Sequence, residues 1–395
     1  MIRMGKTADA VIIGAGVIGA AAAYALSGRG AKVILVEAGD IAQGTSSKSD
    51  GNILVSDKMP GYDAKLAKLS QDMFPALSRK LDYDIEWTQK GSLQLVENET
   101  EKKKAEEYCQ ALIDSGIPAR MLNEKQVRED EPLVSPKVIG GLEVDCDGSV
   151  YPMGLCFGLA AGAKKNGAEI MTRTKVTGIV RAGRIEKVLT SRGDIYTNTV
   201  INCAGIWSGE IGAMAGLQIP VQPRQGQILV AEQTFQVARR KVVEFGYLMA
   251  KFQGSDYKRD VSPEIEEYGV AFVFEPTRAN NFLIGSSRRF VGRDTRNHFG
   301  VMKALAERAV HFFPVMKDIK IIRAYAGLRP FMPDHLPVIS DTPVPGFYIS
   351  TGHEGDGIGL SLISAEIIAN MITGKKQPID VTPLSFSRLA AGERV

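Results

Sequence analysis

Three stretches of this 395-residue chain hold side chains and glycines whose spacing suits chemistry: Gly14-Ala15-Gly16-Val17-Ile18-Gly19 with Glu37 beyond it, Gly327-Leu328-Arg329-Pro330, and Gly352-His353-Glu354-Gly355-Asp356-Gly357. In the first, Gly14 permits a sharp turn and Gly16 lets backbone amides approach phosphate oxygens. Gly19 lets the following helix lie close against its strand. The amides at the start of that helix, with its dipole, hold a pyrophosphate. Glu37 stands where a carboxylate accepts hydrogen bonds from both ribose hydroxyls of an adenosine and repels a 2′-phosphate. These groups describe a dinucleotide cradle. The third stretch is again a strand, a glycine-rich turn and a helix, so a second helix start is available for the far end of one long cofactor.

The elements that must position these groups are legible nearby. Ala10–Ile13 reads as a buried parallel strand, the small residues Ala20 to Ala23 as the helix after the turn, and Lys32 to Glu37 as a second strand. Gly44 to Asn52 is a hydroxyl-rich loop, from which Ser46 and Ser47 are expected to donate to the pyrophosphate. Apolar residues at Leu66, Leu69, Met73 and Leu77 predict a helix over 61–82, alternation predicts a strand over 91–96, and 99–115 is a charged helix. A helix runs from Pro152 through Ala163, and 170–180 reads as strand and turn. Asn198 to Gly205 is a further buried strand whose small last residues leave room for a ligand. Segments 227–230, 270–274 and 281–284 predict an antiparallel sheet, with 251–268 as a mobile polar insertion beside it.

Composition narrows the function. The chain is 44% hydrophobic and 24% charged with a net charge of +3, which supports an ordinary globular protein with small ligands and gives no footing for a nucleic-acid surface. Its four cysteines and four histidines lack metal-ligand spacing, so no metal is expected. Reduced thiols point to the cytoplasm, no apolar run is long enough to span a membrane, and peripheral attachment stays open. The apolar stretch after Arg3 and Lys6 is read as part of the nucleotide site rather than as a leader.

The cradle with Glu37, the Thr45-Ser46-Ser47 loop, Asn202-Cys-Ala-Gly-Ile-Trp207-Ser, Gly327-Leu-Arg329-Pro and Gly352-His353 through Gly357 together resemble the D-amino acid oxidase family of FAD-dependent oxidoreductases. Within it the chain is similar to glycine and sarcosine oxidases and to catalytic subunits of dye-linked proline, hydroxyproline and opine dehydrogenases. The resemblance implies an α/β fold: a discontinuous Rossmann-type FAD-binding domain (1–82, 150–221 and 323–395) and an α+β substrate domain on an antiparallel sheet (83–149 and 222–322). Carried over by motif, the FAD contacts are Gly14, Ala15, Gly16, Ile18, Gly19, Glu37, Ala38, Thr45, Ser46, Ser47, Gly51, Asn52, Ile53 and Val176. They continue with Cys203, Ala204, Gly205, Trp207, Arg329, His353, Glu354, Gly355, Asp356, Gly357 and Ile358.

The implied reaction is oxidation of an amino or imino acid, by hydride transfer from Cα to flavin N5, to an imine that water hydrolyses. The resemblance places Arg329 on the substrate carboxylate, a role that guanidinium geometry suits. His353 reads equally as a flavin-lining and a structural group. Tyr247 is a candidate hydroxyl for the substrate cavity beside the commoner reading of a core tyrosine. Trp207 is expected to pack behind the cofactor, and Arg288 and Arg289 are candidates to face the pocket beside the safer reading of a solvated strand end. Two positions depart from the relatives: Gly355 stands where glycine oxidases carry a second arginine, and Leu283 where monomeric sarcosine oxidases carry a flavin-facing lysine tied to oxygen activation. A dehydrogenase is therefore favoured over an oxidase, with dissociable FAD and with a homo-oligomer or an electron-transfer partner open. The competing readings are an NAD-dependent dehydrogenase and a flavin-carrying relay subunit of a hetero-oligomer.

Overall fold

The apolar run Ala10–Ile13 is buried along its whole length and pairs in parallel with Val33–Val36 on one side and Val200–Asn202 on the other. The structure is a computed structural model that describes residues 5–252 and 257–390. Glu169–Met171 and Phe347–Thr351 extend this parallel sheet at its two sides, and Val338–Asp341 closes one edge antiparallel, giving six strands. Strands covered on both faces read as continuous apolar runs, which is why the pattern here does not alternate.

The helix Val17–Ser27 lies against the closing helix Gly357–Thr373 and the helix Pro152–Lys165. Small residues permit these approaches. A Cβ on Gly19 would fall 1.8 Å from the carbonyl oxygen of Gly14, and one on Gly162 would fall 2.7 Å from the Tyr24 ring. The helix can therefore start tight against the turn, with its first amides facing the cavity.

A second sheet of eight strands carries Gln222–Ala231 next to one edge, paired antiparallel along its length with the edge strand Ile321–Phe331 and on its other side with Phe282–Gly285. The expected antiparallel sheet contains one parallel pairing, Lys241–Glu244 beside Ser92–Val96. Stacked phenylalanines, Phe272, Phe274, Phe282 and Phe312 among them, fill its core. Ile321–Phe331 belongs wholly to this sheet, so the expected boundary at 323 falls inside a strand.

Two local expectations change. The helix over 61–82 is broken into Tyr62–Gln71 and Phe74–Lys80. The insertion over 251–268 is held wherever it is described. Tyr257 donates to Glu101, Arg259 donates to Glu244 and to the Val270 carbonyl, and Ser262 caps a short helix, Pro263–Glu267. Residues 253–256 lie outside the described residues. Burying Arg259 with a carboxylate and a carbonyl as partners explains how so polar a segment packs against the sheet.

Candidate active site

One cavity of about 790 Å³ runs from the opening glycines to the eight-stranded sheet, a size suited to a whole cofactor and a small substrate. Its floor at one end is the first strand-turn-helix. Gly14 holds φ +103, a conformation a side chain disfavours, and a Cβ on Gly16 would meet only the Ser46 hydroxyl, at 3.3 Å. Gly16 caps the helix without a side chain and no acid occupies its first turn, so the positive end of its dipole faces the cavity. The Ser46 hydroxyl accepts from the Val17 amide at 3.0 Å and also meets the Cys156 thiol. Glu37 is held at the edge, its two oxygens accepting from the amides of Ala15 (2.8 Å) and Gly39 (2.7 Å).

Most expected cofactor contacts come together here. Gly14, Gly16, Ile18, Glu37, Ala38, Thr45, Ser46, Asn52, Ile53, Val176, Cys203, Ala204, Gly205 and Trp207 line the cavity, as do Arg329 and residues 353–358. Asn52 brings a buried side-chain oxygen with no protein partner, a polar atom that an extended ligand can satisfy. Four expected residues stand behind the wall rather than on it. Ala15 is fully buried and Gly19 packs on Gly14. Ser47 turns its hydroxyl back to the Gly44 carbonyl at 3.2 Å. Gly51 donates its amide to Glu275 at 3.2 and 3.3 Å, and a Cβ there would fall 1.9 Å from the Val150 carbonyl. Trp207 is 43% exposed at the cavity rim beside Gly44.

At the other end the wall is charged. Arg329 lies directly across the antiparallel strand pair from Arg224, and both point to the face that Gly226 leaves open. The Arg329 guanidinium fills the space of the missing Gly226 side chain. One Nη donates to the Ser287 carbonyl at 2.8 Å and the other to the Ser286 hydroxyl. Burial, then the neighbouring Arg224 charge, weakens its hold on its proton. Arg224 is paired with Glu354 and stacked on the Phe331 ring.

Three groups were invisible to sequence reasoning or placed wrongly by it. Arg288 is not a solvated strand end: it lines the cavity, its guanidinium 4.3 Å from the centre of the Tyr247 ring. Lys58 lies on the wall and joins Asp57 to Asp356, the residue that starts the closing helix. Burial opposes its charge, but the two carboxylates more than offset that and keep it protonated. Asp50 faces Lys241 at 3.8 Å, and Lys241 faces Glu275 at 3.4 Å, which ties the loop before Asn52 to the second sheet.

The expected chemical side chains all reach the cavity, in different roles. Tyr247 offers its ring to Arg288. His353 is buried and exchanges a hydrogen bond with Ser364 at 2.9 Å. Burial pushes its pKa down to about 4, so the ring is neutral at pH 7 and fastens the glycine-rich turn to the closing helix. Leu283 is off the cavity, in register with Val230 and Glu275.

A nucleotide cradle continuous with an arginine-walled chamber between two sheets defines a dinucleotide-dependent oxidoreductase. The family model described as FAD dependent oxidoreductase matches residues 9–371, and the chain belongs to that family. It is 27% identical to hydrogen cyanide synthase subunit HcnC of Pseudomonas aeruginosa, over 98% of this chain and 97% of that one. It is 29% identical to glycine oxidase of the same organism, over 94% and 97%. The crystal structure of glycine oxidase from Geobacillus kaustophilus superposes with a TM-score of 0.86 at 25% identity, covering 97% of this chain and 99% of that one. The cofactor is FAD, and the glycine cradle, the free helix start and the unpartnered Asn52 oxygen fit it. Among the described residues no helix is long and apolar enough to cross a membrane.

Proposed function

We infer that this protein oxidises an amino or imino acid at the carbon bearing nitrogen, with Arg329 holding the substrate carboxylate. The observation that carries this reading is a cavity wall guanidinium, fixed by Ser286 and Ser287 and without an ion-paired carboxylate among the described residues, in the same chamber as the FAD cradle. Bound FAD supplies the hydride acceptor. The chain's own part is binding, orientation and exclusion of water. Arg329 presents a planar fork that fixes the carboxylate and with it the direction of the Cα–H bond. The apolar side chains of Ile228, Val243 and Leu248 on the same wall keep water out. No residue need remove a proton from carbon, and neutral His353, engaged with Ser364, is a positioning group.

Similarity to a glycine oxidase over nearly the whole chain supports the amino acid class. Similarity to a synthase subunit supports a partner chain as the electron acceptor. The domain division follows the two sheets, with the last FAD-binding segment beginning after Phe331. The test is Arg329→Lys, which replaces a fork by a point charge. FAD content should hold while kcat/KM for carboxylate substrates falls about ten- to a hundredfold. Unchanged kinetics would remove Arg329 from the site.

A further inference from the structure

Two guanidinium groups, Arg288 and Arg329, line the chamber, and neither has a carboxylate partner among the described residues. Three other cations of the cavity are ion-paired: Arg224 with Glu354, Arg293 with Glu210, and Lys58 with Asp57 and Asp356. Arg288 and Arg329 meet carboxylate charge only at longer range, from Glu354 and Asp356 and, for Arg329, from Asp50 as well, and a buried charge calls for a direct partner.

Arg288 is built into the wall. Its amide donates to the Tyr268 carbonyl at 3.1 Å, and the next residue, Arg289, exchanges backbone hydrogen bonds with Gln225 at 2.8 and 3.0 Å. Ser286 and Arg288, two residues apart, both reach the cavity, while the Ser287 hydroxyl accepts from the Gln227 amide behind it. The Tyr247 ring supports the guanidinium from one face, and its Nη1 is buried without a hydrogen-bond partner. Burial first, then the charges of Arg329 and Arg224, disfavour the protonated form, and a bound anion would relieve that. Arg329 differs, since both of its Nη atoms already donate to the 286–287 segment.

We propose that the substrate is a dicarboxylate: Arg329 takes the carboxylate next to the reacting carbon, and Arg288, backed by Tyr247, takes a second carboxylate on the side chain or on a substituent of the nitrogen. This rests on the amino or imino acid reading above and makes Arg288 the residue that sets specificity. A ligand with one carboxylate leaves the Arg288 guanidinium without a carboxylate partner, and a rigid, desolvated charge-assisted pair is the interaction that discriminates most.

The test uses the FAD-loaded full-length protein and reads binding by perturbation of the flavin spectrum and by calorimetry. Succinate and glutarate are compared with butyrate and valerate. The dicarboxylates are expected to bind about ten- to a hundredfold tighter, and Arg288→Gln to erase that ratio. Anaerobic flavin reduction by aspartate and glutamate of both hands, against an N-carboxymethyl amino acid, tells side-chain from nitrogen-borne carboxylates. Equal binding of mono- and dicarboxylates by the unaltered protein overturns the proposal, whether or not the variant folds. So does a preference that survives Arg288→Gln. Reduction by monocarboxylic amino acids alone sinks the dicarboxylate and spares the amino acid reading. If neither class binds or reduces, both fall.

Discussion

Substituting Gly226 by alanine is a sharp probe, because this residue touches the site only through the space it leaves. A Cβ there would sit 2.3, 2.4 and 2.5 Å from Nη1, Nη2 and Cζ of Arg329, where ordinary contact begins at 3.4 Å. The sheet strand cannot move without breaking its pairing with Ile321–Phe331, whereas the guanidinium is the far end of a flexible side chain. Arg329 must therefore withdraw by about 1 Å, giving up its bonds to Ser286 and Ser287. A displacement of that size in a group that orients substrate costs on the order of a hundredfold in rate. Gly226 is not at positive φ, so alanine strains no backbone there, and folding and FAD content should survive. Steady-state kinetics with a carboxylate substrate and an artificial acceptor provide the assay. On an Arg329→Gln background the same change should add little, since the two act through one group. A kcat/KM within about threefold of the parent, with FAD retained, would refute the placement of Arg329.

Two further expectations concern the cofactor and the turn. Glu37→Gln should loosen FAD about tenfold through loss of charge-assisted bonds to the ribose, with no change in substrate preference, and an unchanged FAD dissociation constant would remove Glu37 from the ribose. His353 is held neutral by burial, its pKa at about 4 against 6.5 when unfolded, so the unfolded chain binds the proton first as pH falls. Its contribution is present above pH 6.5 and is lost progressively down to pH 4, by about 3 kcal/mol in all. Thermal melts from pH 7 to 4 should therefore drop more steeply for the parent than for His353→Gln, and parallel curves would contradict this.

What the sequence revealed follows from how local each signal is. The opening cradle is contiguous: strand, turn, helix and terminal acid lie within Ala10 to Glu37, and each glycine has a role set by its immediate neighbours. The turn from Gly352 to Gly357 is equally local. The charged wall is not. Arg224 becomes part of it only because its strand pairs with the strand of Arg329, and Lys58 only because Asp356 arrives from near the far end of the chain. Arg288 and Arg289 look alike in sequence. Only the pairing of Arg289 with Gln225 settles which one turns inward, although a period of two counted from Ser286 would have chosen Arg288. Ser47 shares its hydroxyl and its loop with Ser46, but the short helical turn Thr45–Lys48 turns it back to Gly44.

The central claim is that FAD in this cavity takes electrons from an amino or imino acid held by its carboxylate. The direct measurement is an anaerobic titration of the purified, FAD-loaded protein with a panel of mono- and dicarboxylic amino and imino acids, following the flavin's visible absorption. Stoichiometric bleaching by at least one member, lost when its carboxylate is replaced by an amide, is the expected result. A flavin that no member of the panel bleaches, or one bleached equally by acid and amide, would contradict the account.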